Sequence, residues 1–195
     1  HEAGHGIYEQ NIGDDIKQTE VGGGAAMSIH ESQSRFYENV IGRSRTFLPV
    51  IFPKLQELFP KQLGNVTLEE FYRAINQAQA SFIRTESDEL TYSLHIMVRY
   101  ELEKRLIDGS LAVKDLPDAW NKLYVEYLGI TPPNDTLGCL QDIHWSGGAF
   151  GYFPSYALGN AISIQLLRKM NESMNVEDVI ASGNLAPLKE WFTTN

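Results

Sequence analysis

His1-Glu2-Ala3-Gly4-His5 opens the chain, and the reading of everything after it depends on these five residues. On a helix, positions i and i+4 lie one turn apart on the same face. A helix here aims the imidazoles of His1 and His5 at one point and sets Glu2 beside them, within reach of a water held there. Two neutral nitrogen ligands, with a carboxylate that acts as base and does not ligate, make the HExxH pattern of a metal-dependent hydrolase. Such a site takes a third protein ligand and keeps a fourth position for water. The candidate is Glu31, in Ile29-His30-Glu31-Ser32-Gln33, on the next expected helix. Taken singly, Glu31 reads as a solvated helix glutamate. Its place after a connection that returns from an HExxH helix favours the ligand reading.

Outward from that stretch the chain reads as helices joined by polar breaks. The first helix is expected over residues 1–12, where Gly4 and Gly6 each cost about 1 kcal/mol against alanine. They signal either close approach of a substrate or another helix, or a tolerated weakness. Residues 13–24, with Asp14-Asp15 and Gly22-Gly23-Gly24, form a glycine-rich connection close to the cleft. A second helix is expected from Ala25 to Val40, with Glu31, Arg35 and Glu38 on one face, so that Arg35 can orient or neutralise the carboxylates. His30 points elsewhere on that helix and reads as a packing or supporting residue.

Further along, Phe47 to Phe59 reads as short helical pieces broken by Pro49, Pro53 and Pro60. Thr67-Leu68-Glu69-Glu70 is a capping box opening a helix toward Ala80, with Phe71 and Ile75 facing the core. Arg84 lies in a polar break between two long helices, well placed to hold a carboxylate bidentately. The plainer alternative is a surface arginine paired to Glu86 or Glu89. Leu90 to Asp108 is a long amphipathic helix with Leu94, Val98, Leu102 and Leu106 along one side and Gly109 as its stop. His95 on it reads as a core or ligand-lining residue. Another helix starts at Asp115-Leu116-Pro117, carries Trp120, Tyr124 and Tyr127, and ends at Gly129. The stretch from His144 to Tyr156 is rich in glycine, tyrosine and tryptophan. That composition is a poor recipe for core and a good one for backbone that approaches a ligand and presents donors. A helix then runs from Pro154 to Met170, and Asn175 caps a final short one. No β-type alternation is convincing, so the chain reads as all-α and as one domain.

Composition bounds the classes. The net charge of -9, with no basic stripe, excludes the usual phosphate-binding surface of nucleic-acid partners. No apolar run reaches the length of a membrane span, and no signal peptide is visible. The single cysteine, Cys139, cannot form an internal disulfide, which makes the cytoplasm the default compartment.

Four stretches in this order resemble the thermostable (Taq-type) metallocarboxypeptidases: His1-Glu2-Ala3-Gly4-His5, Ile29-His30-Glu31-Ser32-Gln33, Ile83-Arg84-Thr85-Glu86 and Gly151-Tyr152-Phe153-Pro154-Ser155-Tyr156. HExxH alone marks a broad class, whereas the four together mark one family over essentially the whole chain. The resemblance implies an all-α, neurolysin-like two-lobed fold around a deep groove, a cytoplasmic homodimer, and removal of single residues from peptides with a free C-terminal carboxylate. It implies His1, His5 and Glu31 as ligands of one divalent metal, zinc first, with cobalt and manganese also suited to that set. It further implies Glu2 as the general base that takes a proton from the metal-bound water and passes it to the leaving amine. Arg84 would hold the substrate's α-carboxylate, His144 and Tyr152 would donate to the oxyanion, and Tyr156 would bind substrate or support that task. The family has helices before HExxH and after the point where this chain stops, so both ends, including Thr193-Thr194-Asn195, read as cut. The alternatives are an endopeptidase or oligopeptidase on the same fold, or an inactive helical fragment of such an enzyme.

Overall fold

The structure is a computed structural model that describes residues 1–24 and 26–194, with helices and turns and no strand among them. The expected start of the second helix at Ala25, and the terminal Asn195, lie outside the described residues. The chain divides into two compact units, one of His1–Asn76 with Leu158–Asn195, the other of Gln77–Ala157.

In the first unit, α1 (Glu2–Gln10) lies against α2 (Met27–Arg35) through Gly4. A Cβ on Gly4 would stand 2.6 Å from the Ser34 Cα and 2.8 Å from the Gln33 carbonyl oxygen. Close approach of another helix is therefore what that glycine permits. A Cβ on Gly6 would meet nothing within 4 Å. Where one α-helix to Val40 was expected, α2 gives way to a π-helix, Phe36–Gly42, whose wider turn is seen in the 3.1 Å bond from the Arg43 amide to the Glu38 carbonyl. Such π turns concentrate at functional sites.

The prolines do not break α3 (Leu48–Leu58) into the expected pieces. Pro49 stands in the first turn, where its missing N–H is no loss, and Pro53 forfeits a single bond. A short α4 (Pro60–Leu63) follows. The capping box of α5 (Leu68–Ile75) forms as expected: Glu70 N–H donates to Thr67 Oγ1 at 3.2 Å and Thr67 N–H to the Glu70 carboxylate at 2.8 Å. The helix stops at Ile75, short of Ala80, because the Asn76 side-chain amide donates to the Tyr72 and Arg43 carbonyls at 3.0 and 3.1 Å.

The second unit is built on α6 (Glu89–Ile107), whose cap residue Asp88 accepts from the Thr91 amide at 2.9 Å. The expected stripe is buried: Val98 and Leu102 pack with Trp120 and Tyr124 of α7 (Leu116–Leu128), flanked by Leu94 and Leu106. Burying side chains of this size contributes about 2 kcal/mol each. Gly129 closes α7 in the left-handed region at φ 71°, which glycine adopts without strain. The glycine-rich stretch after His144 departs from expectation. It does contribute core, since Phe153 is 1% exposed and packs with Tyr92 and Ile96. Its flanking glycines let the backbone bend tightly enough to insert one ring.

Helix α8 (Pro154–Met170) leads back into the first unit, followed by α9 (Val176–Ala181), capped by Asn175, whose side-chain oxygen accepts from the Asp178 amide. The sequence reading ended the helices there, yet α10 (Ala186–Thr194) follows, with Asn184 Oδ1 accepting from the Ala186 amide at 3.2 Å and Leu188 fully buried beside Phe36 and Met170. No helix among the described residues is long and apolar enough to cross a membrane.

Candidate metal centre and guanidinium cluster

In the first unit, α1 and α2 bring His1, His5 and Glu31 together, each with one ligand atom within 4.8 Å of the others'. The Nε2 atoms of His1 and His5 each stand 3.6 Å from Glu31 Oε2. Ligand atoms around a tetrahedral ion with bonds of about 2.1 Å are roughly 3.4 Å apart. The donor set and its spacing therefore fit a divalent metal. Glu31 is 3% exposed, and a Cβ on Gly159 of α8 would fall 2.6 Å from the Glu31 Cβ. Bare helix backbone thus closes over Glu31. Ser34 Oγ donates to Glu31 Oε2 at 2.8 Å and helps to aim it. Glu2 lies on the exposed side of α1.

The far sides of both imidazoles are anchored. His1 Nδ1 lies 2.8 Å from Glu38 Oε2, and Glu38 also accepts from Arg35 and Arg43 at 3.0 Å each. Burial pushes the Glu38 carboxyl up, but the bond from His1 and the two guanidinium charges outweigh it and hold Glu38 below the usual range. An ionised carboxylate only accepts, so the His1 proton sits on Nδ1 and its Nε2 lone pair faces Glu31. Glu31 and Glu38 both face His1 and Arg35 reaches Glu38, so the expected face of three residues persists across the change of pitch.

His5 Nδ1 lies 2.6 Å from His30 Nδ1, and His30 Nε2 lies 2.8 Å from Glu9 Oε1. His30 thus has the supporting place expected of it, but turned toward His5 rather than elsewhere on its helix. Space for its ring comes from Gly24, where a Cβ would stand 2.7 Å from His30 Cδ2. Burial lowers the pKa of His5; Glu31 opposes this, while His1 and His30 add to it. The neutral imidazole that results is the form that ligates.

The second unit gathers the other predicted residues around two arginines. Arg84, 6% exposed, donates through Nε (3.1 Å) and Nη2 (2.7 Å) to Asp142 Oδ1, and through Nη1 to the Tyr92 hydroxyl at 3.0 Å. Its carboxylate is Asp142, not Glu86 or Glu89. Arg99, fully buried, donates to Asp142 Oδ2 at 2.6 Å, to Gln141 Oε1 at 2.7 Å and to the His95 carbonyl at 2.8 Å. Burial raises the Asp142 carboxyl, but the bond from Arg84 and the charge of Arg99 hold it below its ordinary value. Burial also lowers the Arg84 guanidinium, and Asp142 together with Tyr92 and Tyr156 more than reverses that.

The Arg84 guanidinium lies over the Tyr156 ring at 4.7 Å, Tyr156 Oη is 3.1 Å from His144 Nε2, and the Tyr152 ring centre is 5.4 Å from that of His144. Burial lowers the His144 pKa; Asp142 opposes this and the two arginines add to it. Glu103 accepts from the Trp145 indole at 2.7 Å and from the Gly151 amide, tying down the loop that carries His144 and Tyr152.

The sequence reading gave His30 a packing or supporting place but missed Glu9 behind it, and missed Asp142, Arg99 and Gln141 altogether. Asp142 stands two residues before His144, and an acid beside a candidate histidine is the hint the sequence carries.

The model of the carboxypeptidase Taq (M32) metallopeptidase family matches residues 1–195. The chain is 52% identical to Carboxypeptidase 1 of Bacillus subtilis over 194 residues, which is 99% of this chain and 39% of that protein. It is 44% identical to Thermostable carboxypeptidase 1 of Thermus thermophilus over 192 residues, 98% of this chain and 38% of that one. Among solved structures, the M32 carboxypeptidase from Deinococcus radiodurans matches with a TM-score of 0.92 at 43% identity, over 98% of this chain and 39% of that chain. The chain thus spans under two fifths of the length of the curated relatives it matches.

Proposed function

The chain belongs to the carboxypeptidase Taq (M32) metallopeptidase family, and from that premise we propose that its protein removes the C-terminal residue of peptides with one divalent metal held by His1, His5 and Glu31. The observation that carries the reading is the convergence of His1 Nε2 and His5 Nε2 on Glu31 Oε2 at 3.6 Å, with the far nitrogen of each imidazole anchored. Zinc is the first choice, and cobalt and manganese also suit two imidazoles and a carboxylate. When bound, the ion supplies Lewis acidity toward a peptide carbonyl and toward water.

The side chains supply the rest. Glu2 takes a proton from the attacking water on its carboxylate and passes it to the leaving amine nitrogen. His144 and Tyr152 donate to the oxygen on which negative charge develops, each worth about 3 kcal/mol. Arg84 receives the substrate's terminal carboxylate, with Tyr156 beside it. The charge count supports this, because two buried guanidinium groups share one carboxylate, Asp142, in direct contact. That cluster carries one net positive charge, and a carboxylate neutralises it. The cytoplasmic setting and the pairing of two copies belong to the same proposal and rest on the family resemblance.

One observation favours a second reading, an endopeptidase. The Nε and Nη2 donors of Arg84 already hold Asp142, so a terminal carboxylate does not meet a vacant fork.

The test loads the purified chain with zinc, desalts it, and measures metal per chain beside Glu31→Ala. One zinc per chain, lost in the variant, is the expected result, and zinc indifferent to Glu31 overturns the site. Pairs of peptides differing only in a free or amidated C-terminus then divide the two readings. Cleavage of the amidated member at a comparable rate favours the endopeptidase.

A further inference from the structure

We propose that His30 and Glu9 are positioning residues that fix which nitrogen His5 offers to the metal. The inference rests on the metal site proposed above and goes past its ligands. Glu9 is an exposed carboxylate, which accepts hydrogen bonds and donates none. His30 Nε2, 2.8 Å away, must therefore carry a proton and donate it. In the neutral ring His30 Nδ1 is then a bare lone pair, and it lies 2.6 Å from His5 Nδ1. Two lone pairs repel at that distance, so His5 carries its proton on Nδ1 and donates to His30. The lone pair of His5 is thereby left on Nε2, the atom 3.6 Å from Glu31 Oε2. The reverse order sets the bare His30 Nε2 against the Glu9 carboxylate, acceptor facing acceptor.

The two ligands are thus oriented by different means. His1 is held by a carboxylate directly, through Glu38, whereas His5 is held by a carboxylate one imidazole further out. The relay starts on the second turn of α1 and returns to the same helix, so it also locks α2 to α1 at the edge of the site. Ring contacts keep the middle member in place: His30 lies 4.6 Å from His5 and 5.0 Å edge-on to Tyr8, centre to centre.

The experiment uses two readouts at about pH 8, where imidazoles are neutral. Long-range nitrogen–proton NMR of the metal-free chain reports the His5 tautomer, and competition with a chelator reports the affinity for cobalt and zinc ions. Four chains are compared: the parent, His30→Leu, which removes the acceptor, His30→Asn, which keeps an oxygen near the position of Nδ1, and Glu9→Gln. The parent is expected to show His5 protonated on Nδ1. His30→Leu should lose that preference and bind cobalt about 10–100-fold more weakly, the range typical of groups that orient a ligand. His30→Asn should recover to within about threefold, and Glu9→Gln, whose side chain is exposed, should fall between. A general packing defect would not be rescued by asparagine.

His5 protonated on Nε2 in the parent, or cobalt affinity of His30→Leu within about twofold of the parent, overturns the inference. Glu31→Ala is the control that separates the two claims. If the parent shows no Glu31-dependent metal binding, the metal reading fails, while the tautomer spectrum still decides whether His30 sets the proton of His5.

Discussion

The two clusters use the same side-chain types to opposite ends. In the guanidinium cluster the charges meet face to face, with Arg84 and Arg99 on Asp142 at 2.7 and 2.6 Å. In the candidate metal centre the charged partners stand behind the two imidazoles, and the atoms that face Glu31 remain 3.6 Å from it. The first arrangement brings a counter-ion of its own, one carboxylate for two guanidinium groups. The second holds three electron-pair donors at a spacing that suits an ion and leaves the central charge to come from outside. Whether histidine, arginine and carboxylate make a pillar or a site depends on which atoms the fold leaves facing a charge.

The strongest way to break this comparison is to remove the carboxylate from each cluster. Asp142→Ala leaves two buried guanidinium groups without their shared anion, which should cost roughly 3–5 kcal/mol by denaturant titration. Glu31→Ala removes a buried carboxylate that accepts from Ser34 Oγ at 2.8 Å and faces two imidazoles at 3.6 Å, and should cost about 1–2 kcal/mol, less than Asp142→Ala, while abolishing metal binding. Equal losses in the two variants would mean that the metal centre, too, is a structural pillar.

Acid tests the same contrast, because the guanidinium cluster adds to what burial does to its neighbours. His95, buried against Tyr124, has its pKa lowered from 6.5 to about 4 by burial first, then by Arg99 and Arg84. A histidine so depressed binds its proton less readily folded than unfolded, so the unfolded chain holds more protons between those values. Stability therefore rises with pH across that window. The contribution is complete above 6.5 and is lost as pH falls toward about 4, at most roughly 3 kcal/mol. Asp142, held below its ordinary value, loses its contribution in the same direction but at lower pH. His95→Gln should flatten the stability profile from pH 6.5 down to about 4 and leave the steeper loss beneath it. An unchanged slope would assign the acid response to other groups.

How much of this was legible in the sequence follows the same division. The gathering of His1, His5 and Glu31 was readable because it comes from local rules: two histidines one turn apart, and a glutamate on the next helix. The stripe of α6 and the capping box of α5 were readable for the same reason. Asp142 was not, because it meets Arg84 across 58 positions of chain, and no periodicity ties a loop aspartate to an arginine that far away. The supporting role of His30 is legible in the sequence, but its direction is not, because counting residues around an ideal helix turns it away from His5. Its ring is drawn to His5 by Glu9 and by the space above Gly24, neither of which belongs to α2. The π turn at Phe36 escaped for a related reason, since a change of helical pitch leaves no mark in an apolar pattern only a few residues long.

Gly4 and Gly6 give the smallest effects and the finest test. They share one helix, one propensity cost and one sequence context, so from sequence they were indistinguishable. Packing separates them. A methyl on Gly4 would meet Ser34 and Gln33 backbone at 2.6 and 2.8 Å, which helices can relieve only by moving apart, and α1 and α2 carry the three ligands between them. Gly4→Ala should therefore cost roughly 1–3 kcal/mol and weaken metal binding in step. A methyl on Gly6 would meet open space within 4 Å. Gly6→Ala should gain up to about 1 kcal/mol from helix propensity and leave the metal affinity alone. Thermal unfolding of the two variants with and without zinc reads both quantities. A Gly6→Ala chain that folds as well as expected yet loses metal would show that the face of α1 beyond the ligands also belongs to the site.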